Sequence, residues 1–429
     1  MPLAEGARPG IASSSAVSDS SSADTGGAAR SAYRIHSGLR RLGYDSQMFV
    51  ARRKSHDPTV TVFARSKRVL PRLERALRRR RIKRPMARYP ALRSNSYEIF
   101  TDNRTIYGSD VVTQLPACGV IHLHWIANFI DYSSFFGAVN KPMVWTLHDM
   151  NPFTGGCHYD NGCGKWRNGC GGCPQLASDK HNDLSRQIWR RKEKIFKQIE
   201  KDQLHIVVPS EWMAREVKHS PILGQFPVTI IPYGLDLDCF ASRDRTVSRN
   251  VLGVPLEARV MLLLGDSLKN KRKGFGLLSE ILIGLKDVPR LVVISVGGDH
   301  LPLEVNVPHV HLGFIESERI LSLVYSAADV FVVPSLQNNL PNTVLESLAC
   351  GTPVVGFDVG GIPELVRPEV TGTLVPRGDI KALCEAIKNL FENPSMRVAM
   401  SANCRNIAQE YSLESCARRY VELYTRVAQ

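Results

Sequence analysis

No run of this chain approaches the roughly 18 consecutive apolar residues that crossing a bilayer requires, although 43% of its residues are hydrophobic. Its opening, MPLAEGARPGIASSSAVSDSSSADTGG, lacks the apolar centre of a secretory leader. A cytoplasmic enzyme is the expectation. No repeat of solenoid period is evident. Acids are scarce in one place: residues 65–93 hold thirteen Lys or Arg against the single acid Glu74, a local excess of 12 within a net charge of +14. That stretch also lacks an aromatic stacking platform, which argues against nucleic acid as a partner. Asp-x-Asp occurs only as Asp236-Leu237-Asp238, away from any convincing strand end, so no catalytic divalent cation is expected.

What is there begins with size. A chain of 429 residues exceeds one ordinary core and suits two domains of about 200 residues each. In the basic stretch, Val69, Leu73 and Leu77 recur at helical spacing up to Pro85. Two readings stand for the segment from Arg65 to Arg93. It is either a basic amphipathic helix that meets an anionic membrane surface, on the inner face, or a solvated basic face.

Four of the ten cysteines, Cys157, Cys163, Cys170 and Cys173, fall within GGCHYDNGCGKWRNGCGGCP as C-x5-C-x6-C-x2-C. The last pair has zinc-knuckle spacing and the first is looser. In a reducing compartment a structural zinc is one outcome, with His158 as an alternative ligand. Reduced thiols or one or two disulfides are the others.

Residues 1–24 are rich in Ser, Ala and Gly and read as disordered. A helix follows Gly26-Gly27 over 30–42. Short apolar runs then predict strands at 59–64, 120–124, 143–148, 205–209 and 228–232. The second half restarts with strands at 260–265, 291–297, 309–312, 330–334, 354–357 and 373–375. Helical stretches lie between them, including 184–201, 276–285 and 317–327. The alternation implies an α/β fold with doubly wound parallel sheets. The expected organisation is a first domain at 25–232 with a Cys-rich insert at 157–173, a linker at 233–254, a second domain at 255–412, and an amphipathic helix at 413–429.

The most informative stretch is FVVPSLQNNLPNTVLESLACGTPVVGFDVGGIPELV, residues 331–366. It reads as strand, polar loop, short helix, strand and Gly-Gly turn. Pro341 suits a helix start, and Gly351 with Pro353 a helix end. Unpaired N–H groups at the helix opening, near Leu340, Pro341, Asn342 and Thr343, favour a phosphate. Glu346, one turn further in, can accept from sugar hydroxyls.

This order resembles the nucleotide-sugar site of retaining family-four glycosyltransferases, whose signature is Glu-x7-Glu, then Gly-x-Pro-Val-Val and Gly-Gly-x-x-Glu. Glu346, Gly351, Pro353, Val354, Val355, Gly360, Gly361 and Glu364 match in order. Asn338 stands where the first Glu is expected; its amide can bond a hydroxyl but cannot act as a base. The resemblance implies the GT-B fold, two Rossmann-like domains facing a cleft, with the last helix crossing back to the first domain. It implies that Gly26 and Gly27 meet the donor diphosphate, although no apolar strand precedes them. In LLLGDSLKNKRKGFGLL, Lys273 matches the cation that neutralises the leaving diphosphate, with Arg272 or Lys271 replacing an absent arginine. Gly313 and Phe314 would hold the base. His148, in TLHD, would lie beside the transferred sugar, with Asp149 and His124 on the acceptor side. HLHW, TLHDMNPFTGGCHY and GC-x-x-CP further resemble a bacterial subgroup that builds exopolysaccharides such as colanic acid.

The resulting expectation is transfer of a hexose-type sugar from a UDP- or GDP-linked donor to a saccharide or lipid-linked oligosaccharide. Catalysis would fall to His148, Lys273 and Asn338, without a catalytic cofactor. The competing class is a non-catalytic sugar-nucleotide-binding or scaffold subunit, motivated by Asn338 and the missing loop arginine.

Overall fold

The computed structural model describes residues 17–21, 26–93, 98–298 and 307–429. Two parallel sheets organise the chain. The first has seven strands: β1 (Val17–Ser21), β2 (Ser46–Val50), β3 (Val60–Val62), β4 (Val120–Leu123), β5 (Met143–Thr146), β6 (Leu204–Val208) and β7 (Val228–Ile230). The second has six: β8 (Arg259–Leu264), β9 (Leu291–Val296), β10 (His309–His311), β11 (Val330–Val333), β12 (Val354–Phe357) and β13 (Gly372–Val375). Their spatial orders are 3-2-1-4-5-6-7 and 10-9-8-11-12-13. Each is the doubly wound order in which the chain starts at the centre and then reverses, leaving a crevice at the strands' carboxyl ends. Strands such as LVVISV in β9 and VFVV in β11 are buried along their whole length. That is the pattern of strands covered by helices on both faces.

The expectation of disorder through residue 24 fails at Val17–Ser21. This polar segment, VSDSS, is an interior strand of the first sheet, with Val17 opposite both Ser46 and Val120. Backbone pairing on two sides places it there, a force that side-chain hydropathy does not report. Residues 1–16 and 22–25 lie outside the described residues. β2 also went unread in the sequence.

The final helix, Leu413–Val427, packs on the first sheet rather than the second. Tyr420 and Leu423 join Ile35, Leu39, Val120 and Val144 in one core. Tyr424 Oη bonds His122 Nδ1 at 2.7 Å, and Tyr420 Oη bonds Thr146 Oγ1 at 2.9 Å. The chain therefore crosses between its two sheets twice. At the first crossing Asp236 serves a structural turn: it accepts from Arg41 at 2.6 Å and from the amides of Asp238 and Cys239.

Candidate functional site

The carboxyl ends of both sheets face one cleft of about 420 Å³. The first domain contributes Gly26 and Gly27 after β1 and His148 and Asp149 after β5. The second contributes Lys273 beyond β8, Asn338 to Thr343 after β11, and Glu346. Residues far apart in the chain meet here because each follows a strand that ends at the same edge.

On the second domain's side, the helix Asn342–Ala349 opens at Pro341 with no side-chain cap. Its N-terminal end borders the cleft and supplies positive potential there. Glu346 is buried; its Oε1 accepts from Arg34 Nη2 at 2.9 Å and its Oε2 from Tyr325 Oη at 3.1 Å. Lys273 is half-buried; its amide donates to Asn270 O at 3.1 Å, while its ammonium forms no hydrogen bond or ion pair among the described residues. Burial, aided by the neighbouring Arg272 charge, pulls its pKa down to about 8, against the pull of Asp266 and Glu98. Gly274 makes the turn after it at φ 77°; any Cβ there would overlap the Pro334 carbonyl.

Arg272 does not stand free as a phosphate ligand. It is buried and ion-paired to Glu98, its Nη1 donates to Gln337 O at 2.9 Å, and its guanidinium lies 4.0 Å over the Tyr159 ring. Glu98, the acid that claims it, belongs to the first domain, which no local reading of the 262–278 loop reveals.

On the first domain's side, the surroundings of His148 favour its neutral imidazole. Burial holds its pKa well below the usual histidine value, and His124 and His122 add to this. Both of its ring nitrogens are taken: Nδ1 by Tyr233 Oη at 2.8 Å and Nε2 by His124 Nδ1 at 3.2 Å. His124 therefore lies one layer beneath the cleft wall, outside the lining of the main cavity. Asp149 does line it. Burial would raise its pKa, but His158 at 2.7 Å, the Asn151 amide and Trp125 Nε1 outweigh that and keep it low. Gly313 and Phe314 stand outside the main cavity; Phe314 is half exposed, with Arg30 placed 5.9 Å over its ring.

A family model described as Glycosyltransferase Family 4 matches residues 25–239, and one described as Glycosyl transferases group 1 matches residues 258–393. The chain belongs to glycosyltransferase family 4. A D-inositol 3-phosphate glycosyltransferase of Saccharomonospora viridis is 32% identical over 212 residues, 46% of this chain and 49% of the relative. That of Geodermatophilus obscurus is 35% identical over 217 residues, 47% of each. The chain spans about half the length of the curated relatives it matches. Among solved structures, sucrose-phosphate synthase from Thermosynechococcus elongatus aligns with TM-score 0.66 at 18% identity, over 96% of this chain and 99% of the other. Anabaena HepE in complex with UDP-glucose aligns with TM-score 0.63 at 15% identity, over 96% and 99%. At such identities the likeness is one of fold, two Rossmann-like domains in the GT-B arrangement.

In this family-4 chain the Gly-Gly-x-x-Glu element joins the two domains. Glu364 accepts from the amides of Glu211 at 2.7 Å and Trp212 at 2.9 Å, capping the first-domain helix Glu211–Lys218. Asn339, next to the expected Asn338, was not singled out in the sequence, yet it does more bridging. Its Nδ2 donates to the carbonyls of Leu147 and His148 at 3.2 Å each, and its Oδ1 accepts from Ser210 Oγ at 2.6 Å. The Asn338 side chain bonds only weakly to Ser335 Oγ, at 3.4 Å. A run of two asparagines in a strand-end loop was the only signal available.

The Cys-rich insert is a bridge as well. Asp160 accepts from Trp166 Nε1 at 3.0 Å within the insert and from Gln337 Nε2 at 2.9 Å across the cleft. Cys157, Cys163, Cys170 and Cys173 are free thiols that line one small cavity of about 10 Å³. As their side chains stand, however, no three His, Cys, Asp or Glu among the described residues are set to hold a metal ion. The spacing left a structural zinc, reduced thiols or disulfides open; the side chains stand here as thiols around one shared cavity. Burial pushes these thiols up, Cys170 to about 12, and His158 is turned to Asp149 and Thr101.

Proposed function

We propose that this chain transfers a sugar from a nucleotide diphosphate to an acceptor hydroxyl with retention of configuration. The observation that carries this reading is Lys273, an ammonium without a partner among the described residues, which shares one interdomain cleft with an uncapped helix start and the Glu346 carboxylate. In this reading Lys273 and the helix amides take the diphosphate, and Glu346 takes sugar hydroxyls. The bond from anomeric carbon to phosphate oxygen breaks, and the acceptor oxygen bonds that carbon on the same face. The acceptor proton passes to the departing phosphate, so no protein base is required. His148, being neutral, adds no competing charge near the developing oxocarbenium. UDP-sugars are the favoured donors, because HepE is a structural neighbour solved with UDP-glucose.

The test begins with UDP- and GDP-sugars as thermal stabilisers of the purified protein. At 100 times its Kd, a donor is expected to add about 2.7 kcal/mol of stability. Release of nucleotide diphosphate is then followed with lipid-linked saccharides and with D-inositol 3-phosphate, the acceptor that the relatives' names favour. If no sugar nucleotide stabilises the protein, the reading fails.

A membrane-borne acceptor, as in exopolysaccharide assembly, is the alternative to the soluble inositol phosphate. The support is α2 (Val69–Met86), in which no residue is buried and Val69, Leu70, Leu73 and Leu77 are 50–77% exposed among arginines. The chain runs from α2 toward Glu98 and Ile99, which line the cleft. Among the described residues no helix is long and apolar enough to span a membrane, so attachment would be peripheral. Each surface cation contributes about 1 kcal/mol toward an anionic leaflet. Replacing the exposed Arg79, Arg80 and Arg84 together by Gln is therefore expected to weaken sedimentation with phosphatidylserine vesicles about 100-fold. Wild-type protein should ignore pure phosphatidylcholine. Equal binding to both vesicles would end this part of the proposal.

A further inference from the structure

Helix α1 (Gly27–Arg41) belongs to the first domain, yet one face of it is committed to the second. Arg30 Nη2 donates to Ile315 O at 3.3 Å. Asn342 Nδ2, at the start of the donor-side helix, reaches back to Ser31 Oγ at 2.8 Å and Gly27 O at 3.3 Å. Between these contacts lies Arg34, 5% exposed. Its Nη2 meets Glu318 Oε1 at 2.7 Å and Glu346 Oε1 at 2.9 Å, and its Nε meets Glu318 Oε1 at 3.2 Å. Its guanidinium rests 5.4 Å from the centre of the Phe240 ring. Arg34 Nη1 is buried and has no partner, so one donor is left over after both carboxylates are served.

Glu346 and Glu318 stand on neighbouring helices of the second domain and share this one cation from the first. When the domains part, Arg34 leaves with α1. Two carboxylates then face each other without it, and Glu346 keeps only the Tyr325 hydroxyl to orient it. A carboxylate that must present fixed lone pairs to sugar hydroxyls is thus held in place by a group that arrives with closure.

We propose that Arg34 is a positioning residue for the donor: it orients Glu346 from the opposite domain, so that donor recognition and domain closure are one event. The inference rests on the glycosyltransferase reading and adds to it a residue and a coupling. Arg34 acts through Glu346 rather than on the reacting atoms. Its loss therefore falls mainly on the donor's KM, and the donor loses its power to close the molecule.

The experiment compares wild type, Arg34→Gln and Arg34→Lys. It measures donor and acceptor KM, kcat, and X-ray scattering with and without UDP. Removing a charge-assisted contact predicts a donor KM raised about 10- to 100-fold in Arg34→Gln. The acceptor KM should change less than threefold by the same magnitudes. UDP should compact the wild type but not the variant. Lysine keeps the charge but not the fork, so Arg34→Lys should fall between the two. If Arg34→Gln does not fold, Arg34→Lys carries the same split at smaller size. Wild-type donor KM in either soluble variant, or equal losses for donor and acceptor with the scattering response intact, overturns the proposal. A wild type that binds no nucleotide sinks the glycosyltransferase reading itself, which is a different result from a wild type that binds while Arg34 proves indifferent.

Discussion

Lys273→Ala is expected to lower kcat by about 10²–10³-fold, the size of effect seen when one fixed group facing developing charge is removed. Folding should be almost unaffected, because the Lys273 ammonium forms no hydrogen bond or ion pair among the described residues and the side chain is half-buried at the cleft wall. The same side chain predicts a pH limb. Burial and the Arg272 charge bring its pKa to about 8, below the ordinary lysine value. The folded state therefore releases this proton before the unfolded state does. From about pH 8 up to the ordinary lysine range, rising pH favours the folded protein while removing the charge that the donor needs. Activity and stability should part company there: kcat/KM for the donor falls as pH climbs through about 8, and stability does not. Bound diphosphate favours the ammonium, so the limb in kcat should lie higher than the limb in kcat/KM. Lys273→Arg, charged throughout, should show no such limb. A pH–rate series on the three proteins checks this; wild-type kcat in Lys273→Ala would remove the residue from the mechanism.

Gly360→Ala is expected to cost about 3–5 kcal/mol and to abolish donor binding. Gly360 sits at φ 60°, and a Cβ there would lie inside the carbonyl of Asn338, a backbone atom that cannot swing away. Gly361 presses in the same way on the Asn339 carbonyl. The Gly-Gly turn thus packs backbone to backbone against the loop that carries Asn338 and Asn339. The matching control is Gly378→Ala. Gly378 has φ 80° and no atom within 4 Å of its would-be Cβ, so only the left-handed backbone penalty of about 1 kcal/mol remains. Urea unfolding of both variants, with UDP titration of each, separates clash from conformation. Equal costs at the two sites would show that the close approach at Gly360 is not real.

Much of the scaffold could be read in advance because it depends on local pattern. The runs at 260–265, 291–297, 330–334 and 354–357 are mostly apolar and bounded by turn residues, and each is a strand of the second sheet. The helix Leu413–Val427 was visible from its amphipathic spacing. VSDSS and SQMFV were not, since what makes them strands is pairing with neighbours distant in sequence. At the site, Lys273, Glu346, His148 and Asp149 were legible from motif order, and the fold brings all four to one cleft. Arg272 and His124 hold partners that no local reading of the sequence shows, for a common reason. Each is a polar group whose partner, Glu98 or His148, lies elsewhere in the chain and claims it first.

By itself the sequence determined that the chain alternates strand and helix in two halves, and which strand ends carry polar, glycine-bearing loops. Hydrophobic period and turn chemistry act over a few residues, and a linear chain records them fully. Only the tertiary structure decided which charges remain free. Arg34 is spent on Glu346, Arg272 on Glu98, and the Glu364 carboxylate on two amides of the opposite domain, while Lys273 keeps its ammonium for the cleft. Coulombic and hydrogen-bond partners are chosen by distance in space, and across two domains that distance has no counterpart along the chain.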